Sequence, residues 1–541
     1  MSVAGRLLLL FGKKMSVFRH NQQLSNYLAS HKSGTHTGGH NTNNRSLEPR
    51  TTDQMRTLQL HDSKSHAQQR HQTDASPRKS SAASGSSKSR GVNAVKGRSA
   101  IGSGRRRANV DDLPDEVLLK VFGFLPADSL VTCDCVCKRW HQLANDDSLW
   151  ERLYRSYAAS KSELAERRLQ SAKSSDPKSS WKAKCIHKCI ERRNARIKTL
   201  LSKSSPYTHL PANTDKAIQK LGIGWELVLR DNDKADHSFA QSDGYHLPTS
   251  STVRWYHLQF PPIRSLRCLS IIAKAPVFFK KDGSAADNSP CQRSLLAQHD
   301  LHLGKLSTNH QPVAHDDLID LRVIGQSILV ASWKDGGELA FISASLHNHG
   351  LVHRCTQGSL NRPYIVPSHK PKPDDIDPQY GLHDYTCVVE LRNQRSVLWG
   401  QQFKNVHCVK QQKEEGFARL TPVQPDVISD HSYASKKLQL PWKSDLFKGI
   451  VQDFCILDVT IHDEFLKPFW CLSCPVKVAK AVDSIVNYSY DGEAYVISHS
   501  GEKGSVKINL IWDHSKEQYA VTGVFLDISL EAINAWFSTN Y

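Results

Sequence analysis

Residues 113–150 read LPDEVLLKVFGFLPADSLVTCDCVCKRWHQLANDDSLW, and they carry the strongest structural signal in this chain. The first part of this stretch places apolar residues one helical turn apart, at Val117, Leu118, Val121, Phe122 and Leu125. This spacing predicts an amphipathic helix with an apolar stripe. Pro126 and the segment Asp146-Asp147-Ser148 divide the remainder into further short helices. The stretch therefore predicts a small bundle of three or four helices.

A bundle of this size cannot bury all of its large apolar side chains by itself. Burial of one such side chain stabilises a fold by about 1.5–3 kcal/mol, so several exposed ones would make the chain prone to aggregation. The excess of apolar residues predicts an interface for helices of another protein. A helical subdomain packed on the rest of the same chain is the alternative that periodicity alone leaves open.

The order of residues in this stretch resembles the F-box, the module that docks substrate receptors onto the Skp adaptor of cullin-based ubiquitin ligases. The motif Leu-Pro-x-Glu-Val-Leu is followed by spaced apolar residues, then by Val-Cys-Lys-Arg-Trp and a final Trp150. The resemblance implies a Skp-type adaptor as a partner and, through it, a cullin and a RING subunit. It also implies an adaptor-binding set, which comprises Leu113, Pro114, Val117, Leu118, Phe122, Leu125, Leu130, Val136, Cys137 and Trp140.

The formal net charge of +18 is unevenly distributed along the 541 residues. Residues 1–108 contain 19 of the 71 Lys and Arg but only 4 of the 53 Asp and Glu, which leaves 52 basic and 49 acidic residues in 109–541. The first 108 residues are also poor in large apolar side chains, so we expect a disordered basic tail. Nucleic-acid binding is thus an unlikely main function, although the tail leaves it open. No apolar run approaches the length of a membrane-spanning helix, and we expect a cytoplasmic or nuclear protein without a membrane partner.

Residues 109–158 form the expected F-box, and residues 159–205 the expected helical connector. In the connector, Trp181 to Lys203 carries an apolar face, with Arg192, Arg193, Arg196 and Lys198 predicted on the solvent side. No aromatic platform for base stacking accompanies these basic residues. A spacer packed on its neighbours is therefore favoured over a helix that binds RNA or DNA.

From about Pro206 the periodicity changes to the alternation of strands, as in residues 457–462 and 506–512. About a dozen short strands separated by turn signals predict one large antiparallel β domain, either a sandwich or a barrel. Segments such as GIGWELVLR at 222–230 and DEFLKPFWC at 463–471 resemble the C-terminal region of one group of F-box proteins. The overall fold class is therefore α+β multidomain, with residues 206–541 as a substrate-recognition domain.

No catalytic residue, cofactor or metal site is expected. The chain lacks a Walker loop, a GxSxG elbow, an HExxH motif and RING-type Cys/His spacing. Its thirteen cysteines are an odd number and suggest a reducing compartment. Three close cysteine groupings (133/135/137, 185/189 and 471/474) each lack the second ligand pair that structural zinc requires.

These observations together predict a non-catalytic substrate-recognition subunit of a Skp–cullin–F-box ubiquitin ligase with an unknown target protein. Two alternatives remain at this point. One is an F-box protein with a non-degradative scaffold role, and the other is a nucleic-acid-associated protein acting through its basic tail.

Overall fold

The computed structural model describes residues 113–158, 180–280, 284–286, 289–301, 312–335, 338–371, 383–408, 413–414, 416–481 and 490–541. The basic tail predicted for residues 1–108 and the first half of the predicted connector lie outside the described residues.

Four short helices open the described part of the chain: α1 (Asp115–Phe122), α2 (Ala127–Cys133), α3 (Lys138–Ala144) and α4 (Asp147–Ala158). The connector contributes α5 (Trp181–Leu200), and α6 (Thr214–Lys220) follows it. Two more helices lie within the β region, α7 (Leu351–Gln357) and α8 (Leu530–Phe537). The predicted bundle of short helices is therefore present, and it contains four.

The core of the bundle is built on a few large side chains. Leu130 and Trp150 are completely buried, and the indole Nε1 of Trp150 donates to the carbonyl oxygen of Ala144 at 2.7 Å. The ring of Trp140 packs edge-on against Phe122, with centroids 5.2 Å apart. Phe278, from the β domain, enters the same core. The helical bundle is thus packed onto the rest of the chain as well as onto itself.

The β region begins with two antiparallel sheets. The first has four strands in the order β2-β1-β5-β6 and the second has six in the order β3-β4-β10-β9-β8-β7. Their bounds are β1 (Gly224–Asp231), β2 (Asp236–Ala240), β3 (Asp243–His246), β4 (Ser250–Trp255), β5 (Leu266–Pro276), β6 (Cys291–Asp300), β7 (Ala314–His315), β8 (Ile319–Ile324), β9 (Ile328–Trp333) and β10 (Leu339–His347).

The remaining strands form a large curled sheet and a small hairpin. The main order is β12-β11-β18-β19-β20-β21-β22-β14-β13, with β15 also paired to β22, and β16 pairs with β17 alone. Their bounds are β11 (Tyr385–Arg392), β12 (Val397–Val406), β13 (Lys413–Glu414), β14 (Phe417–Val423), β15 (Ser432–Tyr433), β16 (Gln439–Lys443), β17 (Lys448–Gln452), β18 (Phe454–His462), β19 (Pro468–Lys480), β20 (Ala494–Gly501), β21 (Gly504–Asp513) and β22 (Gln518–Ser529).

The large sheet is nearly closed into a barrel. The first strand of the sheet, β12, is linked to the other end of the sheet through β15. The N–H of Ser435, just after β15, donates to the carbonyl oxygen of Leu398 on β12 at 2.9 Å. β15 in turn pairs with β22 through Ser432 and Val521. Closure of this kind removes most of the unpaired strand edge that an open sheet would expose. The predicted antiparallel β domain is confirmed, and its main sheet takes the barrel alternative.

The six-stranded sheet is buried on both faces. One face shares an apolar core with the four-stranded sheet, in which Trp225 and Leu269 meet Trp255 and Ile342. The other face shares a core with β16, β17 and β18, where Phe341 stacks on Trp442 with centroids 6.0 Å apart. The β domain therefore combines a sandwich with a barrel, and the six-stranded sheet lies between them.

Alternate side chains of strand β18 lie in two different environments. Cys455, Leu457, Val459 and Ile461 point into the barrel core. The residues between them face the six-stranded sheet, where Asp458 and Thr460 make hydrogen bonds to its strands. Successive side chains of a strand point to opposite faces, so a strand that is covered on both sides buries every residue. All nine residues of β18 are buried.

Candidate functional site

The structure divides the ten predicted adaptor-binding residues into a buried and an exposed set. Leu118, Phe122 and Leu130 are at most 2% exposed. A partner cannot reach them while the bundle is folded, so their contribution to docking is to support the surface from beneath. Leu113, Leu125 and Trp140 are half-buried. Direct contact with an adaptor stays a prediction for the half-buried and exposed members.

Four predicted residues lie on the surface: Pro114, Val117, Val136 and Cys137. Val117 is 41% exposed and Val136 is 60% exposed, which is unusual for aliphatic side chains beside a well-packed core. Cys137 also caps α3, since its Sγ accepts a hydrogen bond from the N–H of Trp140 at 3.4 Å. Cys137 is therefore held in a defined conformation at the start of α3.

Two further apolar side chains belong to this surface and are absent from the predicted set. Val121 lies one helical turn after Val117, and Phe124, just beyond the end of α1, is 86% exposed. The N–H of Phe124 donates to the carbonyl oxygen of Val121 at 3.0 Å, so the chain is still turning there. The spacing 117, 121, 124 is a signal for a second apolar stripe beside the core stripe. We call Pro114, Val117, Val121, Phe124 and Val136 the docking face.

An ion pair brings the two parts of the docking face together. A guanidinium nitrogen of Arg139, in the first turn of α3, lies 2.7 Å from the carboxylate of Asp115, the first residue of α1. Val136 lies two residues before α3 and Pro114 immediately precedes α1, so both lie near the starts of helices that the ion pair joins. Because the pair is partly exposed, it contributes at most about 1 kcal/mol and acts mainly on orientation.

A second polar cluster joins the bundle to α5. The Nζ of Lys182 donates to the carboxylate of Asp134 at 2.8 Å and to the side-chain carbonyl of Asn145 at 2.7 Å. Burial acts to raise the pKa of Asp134, but the hydrogen bond and charge of Lys182, together with Asn145 and His141, outweigh it and hold that pKa below its usual value. The carboxylate of Asp147 also accepts from the N–H of Trp181 at 3.2 Å. These contacts link the F-box helices to the connector.

Among the described residues, no cluster of three His, Cys, Asp or Glu side chains is suited to a metal ion. All thirteen cysteines fall within the described residues, and none forms a disulfide. Cys185 and Cys189, one of the three groupings considered for zinc, lie one turn apart on α5, where Cys185 is buried and Cys189 is half-buried. Among the described helices, none is long and apolar enough to cross a membrane.

Comparison with known proteins adds independent information on this bundle. A family model described as F-box-like matches residues 110–156. F-box protein dre-1 of Caenorhabditis elegans is 46% identical over 46 residues, which are 8% of this chain and 5% of that protein. An F-box implies binding of a Skp-type adaptor, and F-box proteins are generally substrate receptors rather than catalysts. The F-box resemblance seen in the sequence is confirmed.

A second similarity covers most of the chain. F-box only protein 15 of Homo sapiens is 32% identical over 441 residues, which are 80% of this chain and 86% of that protein. Its counterpart in Macaca fascicularis is 32% identical over 438 residues, which are 79% of this chain and 100% of that protein. A match of this extent includes much of the β domain as well as the F-box. The chain belongs to the F-box only protein 15 family.

Proposed function

We propose that this chain is the substrate-recognition subunit of a Skp–cullin–F-box ubiquitin ligase. The observation that carries the proposal is the docking face, an apolar surface beside a well-packed helical core that this chain leaves exposed. Its natural partner is the adaptor that the F-box implies. The adaptor would in turn bring a cullin and a RING subunit, and the β domain would hold the target protein.

In this role the chain performs no chemistry on its target. It raises the rate of ubiquitin transfer by proximity and orientation, and the reacting cysteine belongs to a ubiquitin-conjugating enzyme. Orientation requires that the docking face and the β domain move as one body. Phe278 of the β domain lies in the core of the helical bundle, and Arg192 of α5 donates to the carbonyl oxygen of Tyr157 in α4. These contacts support a rigid connection between the two functional parts.

Adaptor docking is tested with the double variant Val117→Lys, Val136→Lys. Both side chains are exposed, so the fold should persist while the apolar contact is lost. Because only about half of each valine side chain is exposed for the adaptor to cover, loss of both contacts removes about 1.5–3 kcal/mol, which corresponds to an affinity about ten to one hundredfold weaker. Calorimetric titration of a Skp-type adaptor into the purified chain measures this change.

The matched control is Val397→Lys, because Val397 on β12 is 43% exposed and lies outside the F-box. This variant should bind the adaptor like the wild type. If the double variant binds the adaptor with unchanged affinity while circular dichroism shows an intact fold, the docking face is assigned wrongly.

Presentation of a target is tested in cells by affinity purification with and without proteasome inhibition. The expected targets copurify with both the wild type and the docking variant. In cells that express the wild type, they accumulate only when the proteasome is inhibited. Copurifying proteins whose abundance is unaffected by inhibition would instead favour a non-degradative scaffold role. We expect the complex in the cytoplasm, the nucleus or both, which imaging of the tagged chain in the same cells would show.

A further inference from the structure

A cavity of about 640 Å³ lies where the end of α4, the middle of α5 and the chain after β5 meet. Tyr157 and Arg192 lie on one side, Arg193 and Arg196 contribute from α5, and Phe279 and Lys280 close the other side. We call it the basic cavity. The described residues that line it include four cationic side chains and no carboxylate. Its size is within the range of ordinary ligand sites.

Arg193 is the residue that makes this cavity unusual. The sequence predicts it on the solvent side of α5, but it is only 3% exposed, which corrects that prediction. Its guanidinium donates to two neutral amides, the Oε1 of Gln292 at 2.9 Å and the Oδ1 of Asn194 at 3.3 Å. Its Nε has no hydrogen-bond partner, and within the described chain no carboxylate pairs with it. Burial also lowers the pKa of Arg193.

A buried cation without a counter-ion is costly, because removal from water is not offset by an opposite charge. A bound anion would supply the opposite charge and would accept a hydrogen bond from the unpaired Nε–H of Arg193. Arg196, half-buried on the next turn of the same helix, adds a second guanidinium to the cavity. Two guanidinium groups suit a doubly charged phosphate, since each presents a planar fork of donors to its oxygen atoms.

The opposite wall of the cavity combines Lys280 with apolar side chains. Val277 and Phe279 follow β5 and line this side. A phosphorylated peptide combines both requirements, because its phosphate group can meet the arginines while a neighbouring apolar side chain meets this wall. We propose that the basic cavity binds a phosphorylated serine or threonine side chain in a segment of the target protein. The inference rests on the proposed function, since the segment belongs to the protein that the receptor presents.

A nucleic acid fits these observations less well. Its backbone carries a regular row of charges and requires a long basic track on the protein surface. The basic cavity offers one enclosed group of cations, and residues 109–541 contain almost as many acidic as basic residues. A single phosphate group carried by a peptide matches this arrangement.

The first test uses the full chain and two degenerate peptide libraries that differ only at a fixed central position, phosphoserine in one and serine in the other. The wild type should retain the phosphoserine library about tenfold more strongly. Arg196→Gln should abolish this preference. Lys198→Gln removes an equal charge from an exposed position on the same helix outside the cavity, and it should retain the preference. Equal retention of the two libraries by the wild type, or equal losses in both variants, would overturn the proposal.

A second measurement separates a ligand-binding role of Arg193 from a structural one. The melting temperature of the wild type should rise when inorganic phosphate replaces chloride at equal ionic strength. Arg193→Met should show a smaller phosphate-dependent rise than the wild type, because only the general stabilising effect of phosphate remains, and it should not melt earlier than the wild type in chloride. Earlier melting in chloride together with a retained phosphate effect would show that Arg193 serves the fold alone. A single-stranded RNA oligonucleotide that binds more tightly than the phosphopeptides would also contradict the proposed ligand.

The two proposals fail independently. The docking variant Val117→Lys, Val136→Lys should keep the phosphopeptide preference while it loses the adaptor. If the adaptor binds as expected but the phosphoserine library is not selected, the basic cavity is assigned wrongly and adaptor docking stands. If the phosphopeptides are selected but no adaptor binds, the chain recognises phosphorylated segments outside a ubiquitin ligase.

Discussion

A buried ion pair joins the sandwich and barrel parts of the β domain. Arg392 on β11 is 1% exposed, and its Nε donates to the carboxylate of Asp458 on β18 at 2.6 Å. Its other nitrogens donate to Thr252 on β4 at 2.8 Å and to Ser473 on β19 at 3.1 Å. Ser250, also on β4, donates to Asp458. The pair therefore holds the six-stranded sheet against the barrel.

We expect Arg392→Met to lower the free energy of unfolding by about 3–5 kcal/mol, because it leaves a buried carboxylate without its counter-ion. Asp458→Asn should have a cost of similar size, since it leaves the buried guanidinium uncompensated. The double variant removes both charges, and its asparagine can accept a hydrogen bond from one serine through Oδ1 and donate to the hydroxyl oxygen of the other through Nδ2. Its cost should be no greater than that of Arg392→Met alone, which means a strong departure from additivity.

The assay is urea denaturation of the four proteins, followed by tryptophan fluorescence and by circular dichroism at equal protein concentration. The two probes together show whether the β domain unfolds in one transition, as the comparison of free energies requires. If the two single changes add within about 0.5 kcal/mol in the double variant, the pair is not an energetic unit and this reasoning is refuted.

Three further outcomes follow from the burial of individual side chains. Leu130→Ala should destabilise the helical bundle by about 2–5 kcal/mol in thermal unfolding, because Leu130 is fully buried, whereas Val117→Ala should change stability by less than about 0.5 kcal/mol. Burial, and then the charge of His209, lower the pKa of His462 to about 4, below the ordinary value of 6.5. The unfolded state therefore binds more protons between these values, so stability falls as pH drops from about 6.5 to about 4. Acid titration of unfolding should show His462→Gln losing about 2 kcal/mol less than the wild type between pH 7.5 and pH 5. In alkylation followed by mass spectrometry, the exposed thiol of Cys135 should react in the native protein, while Cys455, whose burial raises its pKa to about 12, should react only after denaturation.

The sequence is most informative where one periodicity dominates a segment. Alternation at residues 457–462 predicts a strand, and β18 spans Phe454–His462. Other strands, such as β14 (Phe417–Val423), lack a regular alternation along their whole length. β14 contains Pro422 and pairs with β22 across a register shift, which interrupts the alternation that would identify it. Local pattern alone could not recover strands that long-range pairing stabilises.

The docking face also depends partly on local sequence and partly on long-range packing. The sequence by itself determines that α1 is amphipathic and that the segment is an F-box, because spacing and residue order are local properties of the chain. It does not determine which of two neighbouring apolar stripes becomes core, since Val117 and Val121 are spaced like Leu118 and Phe122. Only the packing of Trp140 and Trp150 against α1 decides that the stripe with Leu118 and Phe122 is buried. The stripe with Val117 and Val121 then remains on the docking face.

Arg193 and Asp458 are decided by tertiary structure in the same way. Both are charged residues that elements distant in the chain bury, and for Arg193 the sequence predicts a solvent-facing position. Gln292, 99 positions away, contacts Arg193, and Ser250, 208 positions away, contacts Asp458. The sequence determines which side chains carry charge, but the cost or use of a charge depends on its surroundings. Those surroundings exist only once the sheets have packed together.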